Sequence, residues 1–549
     1  MIAPTARLVH PYISELSWRV IWWMGLLAVF LPVAAVSRDM WDGVIGAYGL
    51  ERGDFSGIRD WLLPSNWGLV YLLLRGIDLL ATLTGVPPWI SIKLIMLLAV
   101  VGIAREARLL CTEILGWSRD DGRATELLVL TFPCWFVLYG STFIYVLFIW
   151  CVFAGHRFLH ASGWPAARIG GYLLILVSFQ VNSNFVMVFA LEAVRWINDP
   201  SRSASAWRRS ALVCGSAVAV YLLLRLVWPP RGEYLGYNNL VWPFSLAGLA
   251  TWARAAAMAL TWLPWLALPA LVAWLLVRNS PSAASPTAPL GGSRELVSVA
   301  LLVAGGLFAY MAVGKGAPLF VVNLPIAWLG TAVHVGKAAQ GWIYTTGDGW
   351  SMRNAFLFSV PASIAAVWLV RRVLANCVSL TVAKTAWRWA LMVAITGNIA
   401  LLANGHAAKQ LRLAQEESIV RGLKRITAPP PGLVDLELAN NTGWSVWTYE
   451  TNYWFWLAYR RAEWAVAAYS KDGAALLQAL KDREQSIRSE MPRSHFLMTE
   501  LRLPDCHSAY RVELPDSLNS FSWTADRLGV QHIPPAVVIM TRESCLPLE

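Results

Sequence analysis

The chain has 549 residues, 57% of them hydrophobic and only 14% charged, with a mean hydropathy of +0.49. An average soluble protein carries ~25% charged residues, so a wholly soluble protein is excluded and a polytopic membrane protein with room for one soluble domain is expected. The net charge of +11 does not argue for a nucleic-acid partner, because much of the Lys and Arg lies in short clusters between apolar segments, as in cytoplasmic loops.

The first apolar segment, roughly 17–36, lacks a small-residue cleavage site and reads as a retained anchor. The polar stretch after it, 37–66, holds Asp39, Asp42, Glu51, Asp54 and Asp60 against Arg38, Arg52 and Arg59. Asp39 and Asp42 are three apart, so in a helix they share one face. Paired carboxylates at a membrane surface are candidates for a general base or for ligands of a divalent cation, Mg2+ or Mn2+. The plain alternative is that they cap a helix and keep a loop in water.

Further membrane segments are expected at roughly 67–84, 88–104, 125–139, 142–159, 169–182, 184–197, 211–228, 255–277, 296–313, 355–371 and 386–404, for 11–13 spans in all. Within 67–84, Arg75 and Asp78 are spaced to neutralise each other. Basic residues at 104–124, 156–168, 195–209 and around Arg371 and Arg372 mark cytoplasmic connections. Two of these enclose 169–197, which reads as a short hairpin with Gln180, Asn182, Ser183 and Asn184 at its tip. A polar tip at that depth has to line a cavity or be buried in protein. Alternate crossings from a cytoplasmic N-terminus put 104–124 on the outer side, against its four arginines, so one early segment is expected to be re-entrant or misplaced.

Outer loops are expected at 229–254, with Arg231 and Glu233, and at 314–354, with Lys315, His334 and Arg353. Outward-facing cations run against the usual bias and suit an anionic ligand at the membrane surface. From Gly405 the composition changes, and 405–549 is expected to form a small α+β domain outside the cytoplasm. KQLRLAQEESIVRGLKRI reads as an amphipathic helix ended by PPPG at 429–432. The aromatic run WSVWTYETNYWFWLAYRRAEW is suited to lipid-interface anchoring or to stacking on a sugar. Cys506 and Cys545 are the only cysteines in this region, and an oxidising compartment would join them. No Walker A loop, HExxH or GxSxG is present, which leaves nucleotide hydrolysis and zinc hydrolase chemistry unsupported.

An acidic first outer loop with RDMWDG at 38–43, the amphipathic stretch VIGAYGLERGDFSGIRDWL, the helix NWGLVYLLLRGIDLL, the short hairpin and the late WSMRNAFLFSVP with Arg353 together resemble the GT-C superfamily of membrane glycosyltransferases. The resemblance covers roughly 15–400, and no clean D-x-x-H or W-W-D-x-G signature is present. It implies an all-α polytopic catalytic domain over 1–404 with the α+β domain at 405–549. It further implies transfer of a sugar from a polyprenyl-phosphate donor to a glycan, lipid or protein acceptor on the extracytoplasmic face of a bacterial inner membrane. Asp39 or Asp42 would act as base or metal ligand. Arg353 and Arg231 would face the phosphate, with Glu233, Asn182, Lys315 and His334 lining the substrate site. Two rival readings are a polysaccharide ligase or polymerase fed by a polyprenyl diphosphate, which would use His334 and Arg353, and a non-enzymatic lipid or glycan transporter.

Overall fold

The computed structural model describes residues 14–34, 43–53, 55–64, 67–138, 142–160, 165–181, 184–199, 203–229, 267–279, 293–313, 355–375, 377, 379–439, 448–468 and 506–545. Among these the chain is a helical bundle joined to a four-stranded mixed sheet. The helices are α1 (Glu15–Ala34), α2 (Gly43–Arg52), α3 (Ser56–Leu62), α4 (Gly68–Thr84), α5 (Pro88–Leu109), α6 (Arg119–Leu130), α7 (Phe143–Leu159), α8 (Pro165–Ser178), α9 (Asn184–Asn198) and α10 (Ala204–Val227). They continue with α11 (Ala267–Val277), α12 (Ser293–Val313), α13 (Ala355–Leu374) and α14 (Leu380–Leu423). Helices α1, α13 and α14, with the stretch Trp207–Leu224 of α10, are long and apolar enough to cross a membrane, and the chain is an integral membrane protein.

Local chemistry sets several boundaries. Pro88 opens α5 at a position whose N–H has no helical partner anyway. Ser118 caps α6 by accepting the Asp121 N–H at 3.2 Å, and Ser379 does the same for Val382 at the start of α14. Gly85, with φ of 71°, ends α4 in the left-handed conformation that a residue without Cβ adopts freely. Lipid is as apolar as a leucine side chain, so helix pairing relies on close approach of small residues. Helices α7 and α8 meet in this way. A Cβ on Gly171 would lie 2.4 Å from the Leu159 nitrogen, and one on Gly155 would lie 2.9 Å from the Gly171 carbonyl.

Ion pairs define one end of the bundle. Arg123 reaches Glu15 at 2.6 Å, Arg108 reaches Glu126 at 2.8 Å, and Arg157 grips Glu106 with two bonds of 2.7 and 2.8 Å. Arg371 lies 3.5 Å from Asp121 and 3.3 Å from Glu295. This ionic end gathers the start of α1, α6 and α12 and the end of α5, α7 and α13. The opposite end is marked by Lys93, which donates to the Val33 carbonyl at 2.7 Å, and by Lys409, which donates to the Leu138 carbonyl at 3.1 Å.

These landmarks resolve the early topology. Trp67 packs edge-on against Tyr145 at the start of α7, 5.8 Å between centroids, and Phe55 likewise against Tyr71. The next helix, α5, begins at the same end, because its Lys93 meets the last turn of α1. Helix α4 therefore starts and finishes at one end and does not cross. The expected span at 67–84 is corrected accordingly. Arg105, Arg108, Arg119 and Arg123 then fall at the ionic end with Arg157 and Arg371, which gathers the basic connections on one side of the bundle. Helix α4 buries Val70, Leu74 and Ile77 and exposes Leu72, Leu79 and Leu83, and its Arg75 and Asp78 pair at 3.7 Å.

Helix α14 has 44 residues, about 66 Å at 1.5 Å per residue, against a hydrocarbon core of about 30 Å. It crosses and then projects. The amphipathic segment from Lys409 is thus the continuation of the last span and not a separate helix, and the boundary expected between 404 and 405 falls inside one unbroken helix. Beyond it come β1 (Gly432–Leu438), α15 (Thr448–Tyr459), β2 (Trp464–Ala468), β3 (Cys506–Glu513), α16 (Ser522–Arg527) and β4 (Val537–Cys545). The sheet order is β2-β1-β3-β4, with β1 parallel to both neighbours and β4 antiparallel to β3. Cys506 and Cys545 face each other across β3 and β4 and are joined by a disulfide.

Candidate functional site

The end opposite the ionic pairs carries the sheet, and a short helix of the first outer loop is built into it. Val44, Ile45 and Tyr48 of α2 are buried in one apolar cluster with Ile419 and Val420 of α14 and Tyr453 and Trp456 of α15. Tyr48 meets Trp456 edge-on at 5.1 Å. The Tyr453 hydroxyl donates to Glu51 at 3.2 Å, and Arg460 lies 3.5 Å from the same carboxylate. The aromatic run is explained by this contact. Tyr453, Trp454 and Trp456 are buried at 3%, 2% and 7% exposure, so these three rings are core and serve neither as lipid anchors nor as a sugar platform.

Beneath this contact lies a buried charged group. Arg412 donates to Glu416 at 3.0 Å and to Glu450 at 2.5 Å, tying α14 to α15 where all three side chains are out of water. Removing one partner of such a group leaves a desolvated charge, at a cost of about 3–5 kcal/mol. Further along α14, Arg421 donates to Glu417 at 2.8 Å, to the Ile533 carbonyl at 2.8 Å and to Asp526 at 2.9 Å. Burial opposes ionisation of Asp526, but the Ile533 N–H and the Arg421 guanidinium outweigh it and hold the carboxyl below its ordinary range.

Asp39 and Asp42 lie outside the described residues, as do Asn182, Arg231, Glu233, Lys315, His334 and Arg353. Their flanks are described. The chain leaves α1 at Ala34, where Lys93 holds the last carbonyls, and re-enters at Gly43 in α2 under the sheet. Helix α12 runs away from the ionic end, where Ser298 accepts from Asn198 at 2.9 Å, toward Val313. Helix α13 returns from Ala355, with Phe356 stacked on Trp135 at 5.1 Å, close in sequence to Leu138 and its lysine partner. Helix α10 also runs away from the ionic end, with Tyr221 against Phe179 at 5.7 Å. The described residues that flank the stretches holding the acids, Arg231 and Arg353 therefore all lie at the sheet end.

The expected reversal near 180 is present. Helix α8 starts beside the end of α7, and α9 returns to the ionic end, where Glu192 meets His160 at 2.6 Å. Phe179, Val181 and Asn184 are buried in protein, and the Asn184 amide donates to the Ser178 carbonyl at 3.0 Å.

A second polar group escaped the sequence reading. His156, His160 and Glu192 come together at the ionic end, with ligand-type atoms all within 4.8 Å of one another. The i,i+4 spacing of the two histidines was the available signal. Glu192 lies 32 residues further on, and only the fold brings it there.

Comparison with protein families finds no match, and comparison with curated proteins finds none. Among solved structures, the crystal structure of ArnT from Cupriavidus metallidurans in the apo state is similar to this chain over 96% of its length and 98% of that chain's, at 14% sequence identity and a TM-score of 0.34.

Proposed function

We propose that the chain is an integral membrane glycosyltransferase of the GT-C type, moving a sugar from a polyprenyl-phosphate donor to a glycan, lipid or protein acceptor at the extracytoplasmic face. The observation that supports this reading is that the described flanks of the stretches containing Asp39 and Asp42, Arg231 and Arg353 lie at the sheet end, while the arginine-rich connections collect at the other. An acid and cations at one membrane surface are what transfer from a lipid phosphate requires.

In this reading Asp39 or Asp42 removes the proton from the acceptor hydroxyl, directly or as ligand to Mg2+ or Mn2+. The acceptor oxygen bonds to the anomeric carbon as its bond to the phosphate oxygen breaks. Arg353 and Arg231 stabilise the charge that grows on the leaving phosphate. Asn182, Glu233, Lys315 and His334 contribute to the substrate site. The donor enters sideways from the lipid.

The test is transfer from a polyprenyl-phosphate sugar by the purified full chain, with Asp39→Asn and Asp42→Asn made separately. Substitution at the base is expected to lower turnover by roughly 10²–10⁴-fold with little change in donor binding. Arg353→Ala is expected to weaken donor binding. Wild-type turnover in both Asn variants would reduce the acids to a solvated helix cap.

A further inference from the structure

The His156–His160–Glu192 group lies where α7 and α9 meet at the ionic end, far along the bundle from the end of α1 and the start of α2. His160 Nε2 is 2.6 Å and His156 Nε2 is 3.6 Å from the same Glu192 oxygen, Oε1. His156 and Glu192 are 3% and 5% exposed. His156 Nε2 has no hydrogen-bond partner despite its burial, while the Glu192 carboxylate also has the Ser210 hydroxyl beside it. A buried polar atom left without a partner costs about 1–3 kcal/mol, so this arrangement calls for a third body.

We propose that His156, His160 and Glu192 form a binding site for a divalent transition-metal ion, zinc by preference. Two imidazole nitrogens one helical turn apart and one carboxylate are a zinc donor set, and zinc binds such atoms at about 2.0–2.2 Å. Tetrahedral ligands at those bond lengths are about 3.3 Å apart, which the 3.6 Å separation nearly meets. The 2.6 Å contact has to open by about 0.7 Å, exchanging a hydrogen bond for two metal bonds. The ion would also satisfy the orphaned His156 nitrogen.

The three residues do not close the coordination shell. His156 and His160 border a cavity of about 580 Å³ that Arg157, Arg195, Glu106 and Glu113 also line. Three protein ligands with a fourth position open to solvent leave room for water or a small anion on the metal. Arg157 is occupied by Glu106, and Arg195 sits one turn beyond Glu192 on the same helix, placing cationic groups beside that fourth position. Bound zinc would fasten α7 to α9 and so hold the α8–α9 reversal in place.

The test uses the full chain in detergent, with any purification tag removed, equilibrated with Zn2+ and then freed of excess. Wild type is expected to retain about one zinc per chain, and Co2+ in its place is expected to give the visible absorption of a four-coordinate ion. His156→Phe keeps a buried ring and removes the nitrogen, and His160→Gln and Glu192→Gln remove the other two donors. Each is expected to weaken binding by more than the ~10–100-fold that loss of an outer hydrogen bond to a metal ligand costs. Zinc is expected to raise the thermal midpoint of wild type and to leave that of His156→Phe unchanged, provided the variant remains monodisperse. Retention of no more zinc by wild type than by His156→Phe would overturn the proposal. So would equal zinc in all four proteins, which would put the ion elsewhere, as on a cysteine.

Discussion

Gly422 sits where α14 passes under β4, and its missing side chain is what lets the two backbones meet. The Ala536 N–H donates to the Ser418 carbonyl at 2.9 Å, fixing the start of the strand one turn from Gly422. A Cβ on Gly422 would lie 2.5 Å from the Ala536 carbonyl and 2.9 Å from a Val538 methyl. Alanine gains up to about 1 kcal/mol in helix propensity, but overpacking against backbone typically costs 1–3 kcal/mol. The steric cost is expected to win, so Gly422→Ala should lower the thermal midpoint of the sheet and speed its proteolysis. A higher midpoint would show that the strand yields easily. Asp526 offers a second check. Its folded pKa is depressed below the ordinary 3.8, so its contribution to stability is present above that value and is lost as pH falls through the folded pKa. Wild type should lose more stability on acidification below 3.8 than Asp526→Asn, which starts less stable at neutral pH. Equal acid sensitivity of the two proteins would remove the role given to the Arg421 contact. Neither residue stood out in the sequence. A glycine in one helix and an aspartate in another carry no mark of a partner that arrives from more than 100 positions away.

Periodicity and charge located most of the elements, and their failures are instructive. The apolar segment 67–84 has the length and hydropathy of a span. What keeps α4 from crossing is packing at both of its ends, Trp67 on Tyr145 and the following Lys93 on the last turn of α1. The four arginines of 104–124 carried that information in the sequence, as a contradiction in the count of crossings. Thr84→Cys, at the exposed end of α4, should react with a membrane-impermeant maleimide from the side that bears the sheet, and Arg119→Cys only from the opposite side. Labelling of both from the same side would restore 67–84 as a span. Of the native free cysteines Cys111, Cys134, Cys151 and Cys214 are buried, and the partly exposed Cys377 is replaced by serine in both variants. The aromatic run of α15 misled for another reason. Its rings are enclosed by α2, α14 and the sheet, so no polar face breaks the pattern and reveals a core helix.

At the scale of the whole molecule the chain has two chemically different ends, joined by one helix long enough to cross the membrane and stand beyond it. One end is dense in arginine–carboxylate pairs and holds the His156–His160–Glu192 group. The other bears the disulfide-linked sheet and clamps α2, the helix that begins one residue after Asp42. The division into a helical membrane part and an α+β part was legible from composition. The clamp was not, because it joins Glu51 to Tyr453 and Arg460 across some 400 positions. Through it the sheet and α2 form one unit. The proposed function requires this end to handle a lipid-linked phosphate. The most direct measurement is a density map of the full chain with a bound polyprenyl phosphate. The phosphate is expected at the sheet end, between the stretch containing Asp39 and Asp42 and the one containing Arg353. A phosphate bound at the ionic end, or held away from both stretches, would contradict it.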